Sequence, residues 1–109
     1  MVPVILQVNY TPSAAQANAN PQDKLESAKA IARLPGLLWK VWIEDKVSNT
    51  RGGIYLFEDL ASAKAWGDDV LATRLAQGGG RDVSIRYFDV NEEPSAITRA
   101  PLARILQAA

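Results

Sequence analysis

Apolar and polar residues alternate over residues 4–10. Val4, Leu6 and Val8 fall on one side, with Ile5, Gln7 and Asn9 on the other. This two-residue period predicts a strand with one polar face. The polar, Ala- and Asn-rich run at 11–23 reads as a loop or an irregular entry to a helix. From Pro21 or Asp23 the period changes: Leu25, Ala28, Ile31 or Ala32, and Leu34 recur at helical spacing until Pro35 and Gly36 end the run. A second strand is predicted from 37 to about 45, then a turn through DKVSNTRGG, then a third strand over 53–58. Asp59 suits the N-cap of a second helix. That helix carries Leu60, Ala63, Trp66, Val70, Leu71 and Leu75 on one side and stops at Gly78-Gly79-Gly80. Residues 83–90 form the fourth strand. The tail from 91 reads as a short amphipathic segment interrupted by Pro101.

The order βαββαβ predicts a single α+β domain over residues 1–109 with a ferredoxin-like fold and a C-terminal extension. Both helices then cover one face of an antiparallel sheet, and the other face is left open. Alternation turns Val4, Leu6 and Val8 toward the helices. The apolar sets Leu37, Trp39, Val41 and Ile43 on strand 2, and Ile54 and Leu56 on strand 3, are assigned to the same side, as are Val83, Ile85 and Tyr87. The open face then collects Gln7, Asn9, Trp42, Tyr55, Phe57 and Phe88, with Lys40, Glu44 and Arg86 among them. Rings mixed with sparse polar groups suit a ligand cavity. They equally suit the core of a symmetric dimer, and the two coexist if facing sheets leave a cavity between them.

Each residue also has a plainer reading. Trp39 and Trp66 read as core, and Trp42 as core, dimer packing or a cavity wall. Lys40, Glu44 and Arg86 form either solvated cross-strand pairs or a site. Gly52-Gly53 opens a strand after a turn, or leaves room for a ligand. The glycines at 78–80 stop a helix, since no GK[ST] follows.

The 109-residue chain has 12 basic and 12 acidic residues and no formal net charge. That balance argues against nucleic-acid and anionic-membrane partners and leaves little charge repulsion against self-association. Cysteine and histidine are both absent, which excludes disulfides, thiolate nucleophiles and the usual metal and haem ligands. No metal site is expected. Chemistry falls to carboxylates, Lys, Arg, Tyr, Ser/Thr or an activated substrate. The start has no basic region before its apolar stretch and does not read as a signal peptide, so a cytoplasmic protein without a membrane span is expected.

GLLWKVWIED (36–45), GGIYLF (52–57) and FDVNEEPSAI (88–97) together resemble the YdhR-type monooxygenase family in order and spacing. LQVNY (6–10) fits the family's first strand, with Asn9 where a histidine is expected. The resemblance covers nearly the whole chain and is weakest over 11–23. It implies a dimeric α/β barrel, in which two ferredoxin-like protomers set their sheets face to face, with the tail at 91–109 reaching across the homodimer. It also implies oxygenation of an aromatic or phenolic substrate, in some relatives without flavin, haem or metal; no cofactor is expected here.

On that reading, an electron-rich, deprotonated substrate itself reduces O₂. The protein supplies an apolar cavity, either between sheet and helices or between facing sheets, a group that stabilises the anion, and shielding from water. Gln7, Asn9, Trp42, Tyr55, Phe57 and Phe88 are the candidate substrate-binding residues. Lys40 or Arg86 would hold the anion, and Glu44 is the candidate base. The alternatives are a non-catalytic small-molecule-binding dimer, or an isomerase or decarboxylase on the same fold.

Overall fold

The computed structural model describes residues 2–102. Its elements are β1 (Val4–Thr11), α1 (Ala14–Ala17), α2 (Pro21–Ile31), β2 (Leu37–Asp45), β3 (Thr50–Phe57), α3 (Leu60–Trp66), a π-helical turn (Gly67–Leu71), α4 (Ala72–Gln77), β4 (Arg81–Asp89) and α5 (Glu92–Ile97). The strands form one antiparallel sheet in the order β2-β3-β1-β4, the arrangement expected of a ferredoxin-like α+β chain.

Local chemistry fixes the helix starts. The stretch at 11–23 contains a single helical turn, α1, closed by a capping box: Ser13 accepts from the Gln16 amide, and the Gln16 side chain accepts from the Ser13 amide. Asn20 caps α2, with Pro21 in its first turn. Asp59 caps α3, accepting from the Ser62 amide at 2.8 Å.

Val4, Leu6 and Val8 of β1 pack with Tyr55 and Phe57 of β3 against Ala63, Trp66, Leu71 and Leu75. The strand pairs explain this set. Val4 stands opposite Phe57 and Leu6 opposite Tyr55, and directly paired residues share a face. On the other flank Ile85 and Tyr87 of β4 join the same side, paired with Val8 and Leu6.

This register corrects the face assignment for β2 and β3. Tyr55 and Phe57 face the helices, while Ile54 and Leu56 face away. In β2 the register shifts between Leu37 and Trp39. A bulge of this kind inserts one residue and reverses the alternation beyond it. Leu37 therefore packs against the core. After the bulge, Lys40 pairs with Tyr55, Trp42 with Gly53 and Glu44 with Arg51, all on the helix side. Trp39, Val41 and Ile43 lie on the open face, so Trp39 is not part of the helix-packed core.

The open face consequently carries an apolar group, Ile5, Trp39, Val41, Ile54 and Phe88, beside the polar Gln7, Asn9 and Arg86, with Val41 50% and Phe88 39% exposed. The C-terminal segment returns across this face from β4 toward β2, and the Pro101 carbonyl accepts the Trp39 indole N–H at 2.8 Å. Leu56, paired with Trp39, is fully buried. The expected reach of the tail at 91–109 across a dimer rests partly on residues 103–109, outside the described residues. No helix among the described residues is long and apolar enough to cross a membrane.

Candidate functional site

A cleft of about 720 Å³ opens between the sheet and its helices. It exists because α2 packs loosely. Of its apolar residues Ile31 is buried, while Leu25 is 57% exposed, so the helix roofs a gap instead of closing on the sheet. Val8, Lys40, Trp42 and Tyr55 form the floor. Ile31 and Leu34 line the roof side, and Trp66, Leu71 and Leu75 the inner wall. The π turn between α3 and α4 shapes that wall. Trp66 and Leu71 are five residues apart, which would separate them widely around an α-helix, yet both line the cleft. The turn is held by Tyr87, whose hydroxyl donates to Asp68 at 2.6 Å. Burial and that bond to a carboxylate raise the phenol well above its usual pKa. A side chain at Gly67 would collide with the Tyr87 hydroxyl.

Lys40 is the chemical centre of the floor. Its Nζ lies 3.3 Å from the centroid of the Trp42 ring and 4.5 Å from that of Tyr55. Gly53, beside it on β3, leaves space for its chain: a Cβ there would stand 2.7 Å from Lys40 Cε. Among the described residues no carboxylate pairs with Lys40. Burial, followed by the charge of Lys24 at the rim, lowers its pKa from 10.5 to about 7. Cation–π contact returns part of the lost hydration, but the amine still loses its proton far more readily than an exposed lysine.

Two further polar groups face the cleft. Tyr55 stacks on Phe57 at 5.9 Å and tilts against Trp66 at 6.4 Å. Burial pushes its phenol up to about 12, with the Trp66 side chain partly offsetting the rise, so it remains a proton donor at neutral pH. The Trp66 indole N–H is buried with no hydrogen-bond partner. It lies near enough to Tyr55 to favour the phenolate, but outside hydrogen-bond geometry. An orphaned donor 93% buried in a cleft wall is costly unless a ligand or water accepts from it.

At the mouth, Glu44 meets Arg51 at 3.6 Å, and Arg51 donates to the Gln16 carbonyl at 2.9 Å. Glu44 is thus engaged in an ion pair at the rim.

Of the residues singled out in the sequence, Lys40, Trp42, Glu44 and Tyr55 converge on the cleft. Phe57 shares their sheet face and stacks on Tyr55, but it does not line the cleft. Gln7, Asn9, Arg86 and Phe88 lie on the opposite face. There Gln7 donates to Asn9 at 3.0 Å, and the Arg86 guanidinium sits 4.9 Å from the Phe88 centroid. The nine candidates therefore do not form one site. Sequence reading placed Trp66 in the core and passed over Arg51. The helical phase of Trp66 with Leu71 and Leu75 was visible, but nothing in sequence marks an indole N–H as unpartnered. Among the described residues no cluster of acidic side chains could hold a metal ion.

Residues 5–101 match the model of a family described as "Putative mono-oxygenase ydhR". Among solved structures, the chain is similar to a putative antibiotic biosynthesis monooxygenase from Deinococcus radiodurans, with a TM-score of 0.63, 19% identity, and coverage of 82% of this chain and 93% of that one. It is also similar to SnoaB, a cofactor-independent oxygenase from Streptomyces nogalater, in its N63A mutant. There the TM-score is 0.53 with 19% identity, and 84% and 96% of the two chains are covered. At these identities the structural likeness is one of fold. No curated protein matches the chain.

Proposed function

We propose that this chain, which belongs to the ydhR mono-oxygenase family, is a cofactor-independent monooxygenase for an electron-rich aromatic substrate such as a phenol or anthrone, and that the cleft above Lys40 is its active site. The observation that carries this reading is the Lys40 amine, held against two aromatic rings in a mainly apolar cleft with no carboxylate partner among the described residues. An amine with a pKa near 7 takes a proton from an acidic C–H or O–H at neutral pH, and its ammonium form then stabilises the anion.

For an anthrone-type methylene the chemistry balances without an external reductant. Lys40 Nζ removes one C–H proton, and the carbanion passes an electron to O₂. The resulting radical pair combines into a C–O bond. Lys40 returns its proton to the peroxide. Loss of the second C–H proton with cleavage of the O–O bond gives the ketone and water. Both oxygen atoms come from O₂, and the substrate supplies all four electrons. Trp42 and Tyr55 wall the ring system, and the Trp66 indole N–H and Tyr55 hydroxyl offer donors to a substrate oxygen. In this reading Lys40 takes the role of base that sequence reading gave to Glu44, which the Arg51 pair holds at the rim.

The same proposal includes a homodimer built on the apolar part of the open face, on the side of the sheet away from the cleft. The supporting observation is the row of partly exposed apolar side chains, Val41 and Phe88 among them.

O₂ uptake with a panel of phenols and anthrones tests the activity. Uptake matched one to one by product is expected, with Lys40→Met losing about 10²- to 10⁴-fold in kcat/KM. Ligand-induced thermal stabilisation with no O₂ uptake across the panel would instead indicate a binding protein.

A further inference from the structure

Lys40 has the placement of a nucleophile as well as of a base. The chain has five lysines. Lys24, Lys29, Lys46 and Lys64 are exposed, and Lys29 is further tied to Glu26 at 3.0 Å. Of the five, Lys40 stands on the cleft floor, with its Nζ against the Trp42 and Tyr55 rings that line the cleft. Three features of its surroundings match what imine formation requires. The Trp42 and Tyr55 rings lie against Nζ, so water, which reverses the reaction, is partly excluded there. No carboxylate among the described residues neutralises the ammonium, while a second cation, Lys24, lines the same cleft. An amine desolvated in an apolar pocket near another cationic group is the arrangement that activates lysine toward carbonyl carbon. A proton donor for dehydration of the carbinolamine is also at hand in the Tyr55 hydroxyl, whose ring lies under Nζ.

We infer that the cleft captures aromatic aldehydes covalently, through an imine between Lys40 Nζ and the carbonyl carbon. The step involves no oxidation. The amine lone pair attacks the carbonyl and forms the C–N bond. The carbonyl oxygen takes two protons and leaves as water. Tyr55 donates one and is restored by a proton from nitrogen, and nitrogen supplies the other, so both nitrogen protons end in the water. The resulting C=N bond is hydrolysed when water re-enters. This activity uses the same cleft as the proposed oxygenation but does not depend on it, since neither O₂ nor an oxidisable substrate is required.

The test is trapping without oxygen. The full chain is incubated anaerobically at pH 7 with 2-naphthaldehyde and sodium cyanoborohydride, which reduces an imine to a stable secondary amine, and labelling is followed by intact mass and peptide mapping. At this pH an ordinary lysine is neutral only about one time in 10³ to 10⁴. Lys40 should therefore label at least about tenfold faster than any of the four exposed lysines, even after allowance for the weaker nucleophilicity of a less basic amine. Peptide mapping separates this adduct from labelling of the α-amine. Prior addition of 1-naphthol should slow labelling at Lys40 and leave the exposed lysines unchanged. Tyr55→Phe should slow trapping while leaving the site of labelling the same, and Lys40→Arg should abolish it. Labelling spread evenly over the lysines of the wild-type chain, or Lys40 among the slowest, overturns the inference whether or not any variant folds. Trapping at Lys40 with no O₂ uptake in the oxygenase assay would uphold capture and reject oxygenation; the converse result would do the opposite.

Discussion

Lys40 lies where a side chain on Gly53 would go: a Cβ at Gly53 would stand 2.7 Å from Lys40 Cε and 3.4 Å from its Nζ. The missing side chain on β3 is the space in which the lysine on β2 folds over Trp42 and Tyr55. The two residues are neighbours across the strand pair, since Trp42, two residues from Lys40, is the partner of Gly53.

Gly53→Ala should leave the fold intact, because the colliding atoms belong to the flexible end of a lysine and alanine suits a strand better than glycine. Stability should change by within about 1 kcal/mol. The lysine, however, must leave its niche for solvent. Its pKa should return toward 10.5, and the pH at which activity rises should move up from about 7 with it. A pH profile of kcat/KM for wild type and Gly53→Ala checks this. An unchanged acid limb would mean that Lys40 is not the titrating base.

The same depressed pKa has a consequence for stability. The unfolded chain holds a proton on Lys40 up to about pH 10.5, and the folded chain only to about 7. Between these values the unfolded state binds more protons, so this group makes stability rise with pH across that window, and its burial costs most below pH 7. Lys40→Met should therefore be more stable than wild type at pH 6, and the gain should shrink steadily between pH 7 and 10.5. Urea melts of the two proteins at several pH values measure the difference.

The three tryptophans should separate by role. Trp66 is 7% exposed and packs against Tyr55, so Trp66→Ala should cost about 3–5 kcal/mol. Trp66→Phe keeps most of the volume and removes the orphaned donor, which should leave stability nearly unchanged while weakening binding of an oxygen-bearing ligand. Trp42 is 42% exposed. Trp42→Ala should cost less, about 1–2 kcal/mol, yet raise KM by removing the ring beneath Lys40. Trp39→Phe lies on the other face and should leave KM alone. Thermal melts paired with binding titrations distinguish these outcomes.

Sedimentation should show about twice the 11.8 kDa chain mass. Val41→Glu places a charge on the open face without touching the cleft, and should shift the protein to monomer. A wild-type monomer at micromolar concentration would remove the dimer from the proposal.

Most of the fold was legible in sequence because it is written locally. Periodicity placed the strands and the two long helical stretches, Asp59 announced its cap, and the glycines at 78–80 announced a stop. The apolar set Val4, Leu6 and Val8 was turned correctly because the other side of β1 carries Gln7 and Asn9, leaving one choice. The motifs at 36–45, 52–57 and 88–97 were enough to point to the family. β3 offered no such contrast: Ile54 and Leu56 are as apolar as Tyr55 and Phe57, and only pairing with β1 settled which side met the helices. In β2 one bulged residue near Leu38 reversed every side chain after it, and a bulge leaves no mark in a run such as LLWKVW. The site followed from those two decisions. Sequence supplied a lysine, two tryptophans, a tyrosine and a double glycine. The tertiary register put Lys40, Trp42, Gly53 and Tyr55 on one side beneath α2, sent Arg86 and Phe88 to the other, and gave the lysine an apolar niche. Its lowered pKa is a property of that desolvated niche and not of the residue, so no reading of the chain alone could have assigned it.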